Sequence, residues 1–188
     1  MGTSRKRRDN ALIDAIEAVQ PVFYAGHVWR VTREGRNPVQ CSRSGGRWDD
    51  GTIDVLYTSE KREGALAEMK FHLLRGQPVI PSLVTYTLHE LSVSMRRSLK
   101  LLDLNALLSL GLDCSRYGQA SYEERVTEYP RSQDIAEVAH FLDFDGLIVP
   151  SARHQCLNVV PFCDRLLPEA LQPVMNHGAV NWADYPML

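Results

Sequence analysis

The segment Leu147-Ile148-Val149-Pro150-Ser151 predicts the centre of the fold, because an aliphatic run leads directly into a proline and a hydroxyl group. A continuous run of aliphatic and β-branched residues is typical of a strand that is covered on both faces. Asp145-Gly146 turns the chain before this strand, and Pro150 marks its end. The side chain of Ser151 is therefore expected at the rim of a core strand.

Two further segments place a charged residue inside apolar sequence. Arg30 lies in Val28-Trp29-Arg30-Val31, and Glu68 lies in Ala65-Leu66-Ala67-Glu68-Met69. Burying an arginine or a glutamate without a partner costs free energy, so a fold that keeps both near its core uses them on each other or on a ligand. These segments favour an enzyme or a ligand-binding protein.

Hydrophobic spacing and turn residues predict the elements around these segments. Asn10 and Ser132 are expected to cap helices, and the chain from Leu166 onward is expected to be a loosely packed tail with a helical turn. The spacing predicts helices over 10–19, over 61–75, within 99–110 and from Ser132, strands over 27–32, 53–58, 79–93, 147–149 and 157–160, and a long loop over 33–51.

Glu68 lies in the middle of the helix predicted over 61–75. Its neighbours at helical spacing are Gly64, Ala65, Phe71 and His72, so no lysine or arginine is placed to form the usual surface ion pair. Two interpretations stay open at this point, an unpaired surface carboxylate and a functional group.

Composition limits the class of protein. The chain has 188 residues, 44% of them hydrophobic and 23% charged, which is typical of a soluble globular protein and favours one domain. No apolar stretch approaches the roughly 18 to 20 residues that span a bilayer, and the basic start is not followed by the apolar core of a secretory signal. We therefore expect a cytoplasmic protein that does not bind membranes.

The cysteines and the net charge lead to two further expectations. The four cysteines form no Cys-x-x-Cys pair and are too sparse for a disulfide framework, so free thiols are expected in a reducing compartment. A net charge of −2 gives no general attraction to nucleic acid, and the basic run over residues 5–8 is interpreted as a solvated tail.

The familiar catalytic motifs are absent. Ser151 lacks the flanking glycines of a nucleophile elbow, which argues against a hydrolase triad. Gly45-Gly46-Arg47 matches neither of the Gly-rich nucleotide-binding loops and precedes a predicted strand, where those loops precede a helix. His154, Cys156 and Cys163 have no zinc-site spacing and no evident fourth ligand, so no metal is expected.

Four separate blocks, in this order, resemble the RES domain family, which is named for its Arg, Glu and Ser. The resemblance runs from about Phe23 to Phe162, and one departure is Asp49, where the family more often has asparagine. The blocks are Trp29-Arg30, Gly45-Gly46-Arg47-Trp48 leading into Leu56-Tyr57-Thr58-Ser59, Ala65-Leu66-Ala67-Glu68, and Val149-Pro150-Ser151-Ala152 followed by Asn158.

The resemblance implies a fold and a domain division. The fold class is α+β, a single domain with a mixed, ADP-ribosyltransferase-like β core flanked by helices. Residues 1–20 are then a helical N-terminal extension, 21–165 the RES domain, and 166–188 a C-terminal tail packed on the domain.

The resemblance also implies a function, that of the toxin in a bacterial type II toxin–antitoxin pair that consumes NAD+ and is neutralised by an Xre-like antitoxin. Glu68, Arg30 and Ser151 would be catalytic, and NAD+ would be bound by Arg30, Arg47, Tyr57, Ser151 and Asn158. A carboxylate suits the positive charge that develops on the ribose, and arginines suit the diphosphate. The ADP-ribose acceptor stays open between water, phosphate and a target protein, and a non-catalytic nucleotide-binding module is a third alternative.

Overall fold

The protein, in a computed structural model that describes residues 7–74, 83–119 and 125–185, is built on one mixed β-sheet. Its strands are β1 (Val22–Arg33), β2 (Thr58–Ser59), β3 (Tyr86–Lys100), β4 (Gly146–Pro150), β5 (Leu157–Pro161) and β6 (Leu171–Ala179). Its helices are α1 (Asn10–Glu17), α2 (Arg62–Leu73), α3 (Leu104–Ser109) and α4 (Arg125–Phe141), with short 3-10 helices at Cys163–Arg165 and Trp182–Asp184.

The sheet closes on itself. Its strand order is β1-β2-β5-β4-β3-β6, and an additional antiparallel pairing of β1 with β3 joins the two ends of the first five strands into a barrel. The long strand β3 lies beside β1 along its length, and on its other side it pairs first with β6 and then, in parallel, with β4. Barrel strands and flanking helices together confirm the predicted α+β class.

Strand β4 is covered on both faces, as its aliphatic sequence predicts. Ile148 packs inside the barrel with Val28 and Leu91. Leu147 and Val149 face the opposite way, into a cluster formed with α1 and α4. A third cluster places Ala65 and Leu66 of α2 against Val31 of β1 and Leu88 of β3, and so holds α2 on the outside of the barrel.

Both predicted helix caps are wrong. The side chain of Asp9, and not that of Asn10, accepts the hydrogen bond from the Ala11 amide that caps α1. Ser132 lies inside α4, where its hydroxyl donates to the carbonyl of Tyr129 at 2.9 Å. A serine hydroxyl satisfied by a carbonyl of the preceding turn is compatible with a helix interior, so the helix includes residues before Ser132.

Two predicted strands and the predicted tail also change. The strand predicted over 53–58 is reduced to β2, and Val55 makes only single bridges, to Ser42 and Phe162. The strand predicted over 79–93 continues to Lys100 as β3, and residues 79–82 lie outside the described part of the chain. The segment expected to be a loose tail contains β6, which pairs with β3 although almost all of its side chains are exposed.

The prediction of four free thiols is wrong for one pair. Cys41 and Cys163 form a disulfide with a Cα–Cα distance of 6.5 Å, whereas Cys114 and Cys156 are free. The two bonded residues are 122 positions apart, a distance over which sequence spacing carries no information about contact. In the described residues, no helix is long and apolar enough to cross a membrane.

Candidate active site

A cleft of about 360 Å³ opens between β1, α2 and the loop that joins β1 to β2. Its lining includes five of the residues predicted from sequence, together with Arg153, which was not predicted. These lining residues are Arg30, Arg47, Tyr57, Glu68, Asn158 and Arg153. Ser151 does not line the cleft itself but contacts Glu68.

The carboxylate of Glu68 is fixed by two side chains from the sheet. Its Oε1 atom accepts hydrogen bonds from Ser151 Oγ and from Asn158 Nδ2, each at 2.9 Å. Ser151 follows the end of β4, and Asn158 lies on the neighbouring strand β5. Glu68 is half-buried, so the interpretation as an unpaired surface carboxylate is wrong. The structure brings together three predicted site residues that are remote in sequence.

The orientations of Ser151 and Asn158 are set by further contacts. Ser151 Oγ accepts from the amides of Arg153 at 3.1 Å and His154 at 3.3 Å, so its own proton is directed to Glu68. The Oδ1 atom of Asn158 is buried and has no hydrogen-bond partner in the described chain. A buried acceptor of this kind is costly unless a ligand or water satisfies it, so Asn158 is a candidate binding residue.

Arg30 does not contact Glu68. Its Nη1 atom donates to the main-chain carbonyls of Pro38 at 2.8 Å and Gln40 at 3.0 Å, both in the loop after β1. Burial lowers the pKa of Arg30 to about 10, so the guanidinium is still protonated at neutral pH. Within the described residues no carboxylate forms an ion pair with Arg30, and its charge is available to an anionic ligand.

Arg47 is engaged with Glu128 of α4. Their ion pair has an N–O distance of 2.6 Å, and the two side chains are only 9% and 10% exposed. The guanidinium also lies over the rings of Tyr117 and Tyr129. Burial is the largest single influence and opposes the charge of Arg47, but the hydrogen bond that Arg47 donates to Glu128, together with the electrostatic attraction of Glu128 and the two tyrosines, raises the pKa of Arg47 overall. Arg47 thus already has a counter-ion, and its predicted contact with a diphosphate remains a prediction.

Asp49 organises the glycine loop. Its Oδ1 atom accepts from the amides of Gly45 and Gly51, and its Oδ2 atom accepts from the Gly46 amide and the Tyr57 hydroxyl. The Asp49 side chain is fully buried. An aspartate with four donors around it acts here as the internal support of the loop.

Tyr57 also stabilises the glycine loop. Its hydroxyl accepts from the Trp48 amide at 2.9 Å, and burial is the main cause that raises its pKa. A Cβ on Gly46 would lie 2.4 Å from the Tyr57 hydroxyl, so only glycine fits there. Gln133 of α4 closes the arrangement, because its Nε2 donates to the carbonyls of Gly46 and Asp49. Binding of NAD+ by Tyr57 stays a prediction.

The residues considered as metal ligands do not form a site. Cys163 is in the disulfide, and the Sγ atom of Cys156 lies 3.3 Å from Ser59 Oγ. Among the residues that the structure describes, no group of three or more His, Cys, Asp or Glu is placed to hold a metal ion.

Comparison with known proteins agrees with this architecture. A chain of the M. tuberculosis MbcT-MbcA toxin-antitoxin complex is similar in fold, with a TM-score of 0.76, 21% sequence identity, and coverage of 94% of this chain and 96% of that chain. No curated protein sequence matches the chain. The family model of the RES domain matches residues 27–183, which is most of the sequence and extends past the region of the motifs. This match confirms the resemblance, and the chain belongs to the RES domain family.

Proposed function

We propose that this protein cleaves the bond between nicotinamide and ribose in NAD+, and that it is the toxin of a toxin–antitoxin pair. The observation that carries the proposal is the geometry of Glu68, whose carboxylate is held by Ser151 and Asn158 beside a cleft that also contains the uncompensated charge of Arg30. Membership of the RES domain family and similarity in fold to a chain of a toxin–antitoxin complex support the proposal.

The chemistry requires little more than these groups. When the bond from ribose to nicotinamide breaks, its electron pair leaves with nicotinamide, which becomes neutral, and the positive charge develops on the ribose. A fixed carboxylate at Glu68 stabilises that charge without having to reorient. The acceptor oxygen then bonds to the ribose and loses its proton. Because the leaving group departs uncharged, the reaction needs no general acid.

Binding is assigned to the cationic side of the cleft. Arginine matches phosphate oxygens with paired N–H donors, so Arg30 is proposed to hold the diphosphate. The buried Oδ1 of Asn158 offers an acceptor for a ribose hydroxyl or an amide. A carboxylate near an anionic dinucleotide weakens simple binding, which favours catalysis over a non-catalytic binding module.

The proposed setting is that of a toxin in the cytoplasm, neutralised by an Xre-like antitoxin. Loss of NAD+ would be the toxic event. Neither nucleic acid nor a membrane is proposed as a partner.

One experiment tests the proposal and identifies the acceptor. The purified protein is incubated with NAD+, with and without inorganic phosphate and with a cell extract, and both free nicotinamide and label on protein are followed. Release of nicotinamide without labelled protein is expected, and a phosphate-dependent rate would identify phosphate as the acceptor. Labelled protein would replace this function by ADP-ribosylation of a target. NAD+ binding with neither signal would indicate a non-catalytic module.

A further inference from the structure

Among the described residues, three arginines line the cleft, and they differ in how their charge is balanced. Arg47 is paired with Glu128. Arg30 and Arg153 donate instead to main-chain carbonyls, Arg30 to Pro38 and Gln40 and Arg153 to Gly118. A carbonyl is a neutral acceptor, so among the described residues neither Arg30 nor Arg153 is neutralised by an ion pair, although the Glu68 carboxylate attracts the charge of Arg153 through space.

The position of Arg153 is fixed from several sides. Its amide donates to Ser151 Oγ, which connects its backbone directly to the group that holds Glu68. Its guanidinium lies 3.2 Å from the centroid of the Phe71 ring. Phe71 is on α2, three residues after Glu68, so the same helix carries the carboxylate and the platform under the arginine. A stacked guanidinium keeps its in-plane N–H groups free for an anion.

The contact with Gly118 depends on a close approach of two loops. Gly118 has a φ of +80°, and a Cβ at this position would lie 2.1 Å from the Ala152 carbonyl oxygen. Glycine therefore lets the backbone at residue 118 pack against the chain just before Arg153. The Gly118 carbonyl orients one end of the guanidinium, and the rest of the side chain lines the cleft.

We infer that Arg153 and Arg30 together form the subsite for a diphosphate, and that Arg47, already neutralised by Glu128, is a positioning residue of the loop. This inference rests on the proposed function for the identity of the substrate, a dinucleotide. A diphosphate carries two charges, and two arginines that have no ion-pair partner among the described residues match it in number. The sequence alone gives Arg153 no signal beyond its place two residues after Ser151.

The test compares the binding of ADP and adenosine, two commercially available probes that differ only in the diphosphate. Titration calorimetry is carried out on the wild type, on Arg153→Gln and Arg153→Lys, and on Arg96→Gln, which removes an exposed arginine outside the cleft. We expect the wild type to bind ADP at least about 10-fold more tightly than adenosine, because charge-assisted hydrogen bonds contribute roughly 1.5–3 kcal/mol.

Arg153→Gln should weaken ADP binding by about 10- to 100-fold and leave adenosine binding unchanged, since only the phosphate contact is lost. Arg153→Lys keeps the charge but not the paired donors, so an intermediate loss is expected. Arg96→Gln should match the wild type. Thermal unfolding of each variant checks that the fold is retained, and Arg153→Lys serves as the readout if Arg153→Gln does not fold.

Two results would overturn the inference: equal affinity of the wild type for ADP and adenosine, or an unchanged ADP affinity in Arg153→Gln. The result of this binding test can be distinguished from the result of the nicotinamide-release test of the proposed function. Absence of nicotinamide release, together with ADP binding that depends on Arg153, would remove the proposed reaction and leave the subsite. Nicotinamide release by the wild type, together with normal ADP binding in Arg153→Gln, would support the proposed reaction and remove the subsite.

Discussion

The two walls of the cleft are held in place in different ways. On one wall, Glu68 of α2 and Asn158 of β5 line the cleft, and Ser151, at the end of β4, donates to Glu68 from behind it, so two neighbouring strands of the closed sheet fix the carboxylate. On the other wall, the loop between β1 and β2 is fixed by individual side chains, chiefly Asp49 and Arg30, and by one disulfide. Substitutions should therefore separate chemistry on the first wall from loop geometry on the second.

The largest effect is expected from Glu68→Gln, on the first wall of the cleft. A glutamine oxygen can still accept from Ser151 and Asn158, so the fold and the shape of the site are retained. Without the negative charge, stabilisation of the developing positive charge is lost, and the rate of nicotinamide release should fall by about 10²–10³-fold, or roughly 3–4 kcal/mol. Single-turnover release of nicotinamide gives the rate.

Titration calorimetry with NAD+ is the control for Glu68→Gln, because binding should be largely spared. If affinity falls as much as the rate does, Glu68 is a binding group and the assignment of a catalytic role fails.

The disulfide tests how far the loop wall depends on its covalent attachment. Cys41→Ser should lower the free energy of unfolding by about 2–4 kcal/mol, because the Cys41–Cys163 bond closes a long loop in the unfolded chain. Urea unfolding without reductant measures the change, and Cys114→Ser, at a free cysteine, is the matched control. The wild type should lose the same stability in reductant. A wild type that is indifferent to reductant would contradict this account.

Arg30 connects the loop wall to the barrel, since it stands on β1 and donates to two carbonyls of the loop. Arg30→Ala should weaken NAD+ binding by about 10- to 100-fold, since it removes a charged donor and frees Pro38 and Gln40. Arg30→Lys, which retains the charge but reaches fewer acceptors, should recover part of the affinity. The comparison with Glu68→Gln is decisive: if Arg30→Ala lowers only the rate, Arg30 acts on the reaction and not on binding.

The support inside the loop is tested by Asp49→Asn. An asparagine presents one oxygen and one NH2 group, so in either orientation its NH2 faces a glycine amide that Asp49 now satisfies. The free energy of unfolding should fall by about 1–3 kcal/mol. Asp50→Asn, at an exposed neighbour that accepts only from Thr52, should change it by less than about 0.5 kcal/mol. A neutral Asp49→Asn would show that the loop adapts to asparagine.

The same contrast explains which parts of the molecule can be predicted from the sequence. Strand β4 and helix α2 carry local signals, an uninterrupted aliphatic run and strong helix formers ending near a glycine, and both are found close to their predicted bounds. The rim position of Ser151 and the burial around Glu68 follow from those elements. Local periodicity predicts a helix or strand, and it therefore also predicts where the residues on that element lie.

The loop wall has no such signal. Arg47 and Glu128 are 81 residues apart in sequence, and the Cys41–Cys163 pair is further apart still. Such contacts depend on the whole topology, because no periodic pattern links two distant positions. The residue type therefore predicts that Arg47 binds the substrate, and nothing in the sequence indicates its partner on α4. The prediction of the α1 cap fails for a more local reason, since Asp9 and Asn10 are adjacent and both residue types are good N-caps.

The smallest effect should come from Ser151→Ala, which changes the support of the first wall. Ser151 donates one of the two hydrogen bonds that Glu68 accepts, and Asn158 continues to donate the other. The carboxylate therefore stays near its position, and the rate of nicotinamide release should fall by about 3- to 10-fold, which corresponds to one hydrogen bond of roughly 0.5–1.5 kcal/mol. Steady-state kinetics with NAD+ should show the change in kcat and not in KM. A loss as large as that of Glu68→Gln would mean that Ser151 contacts the reacting groups itself, and its role would then be catalytic and not one of positioning.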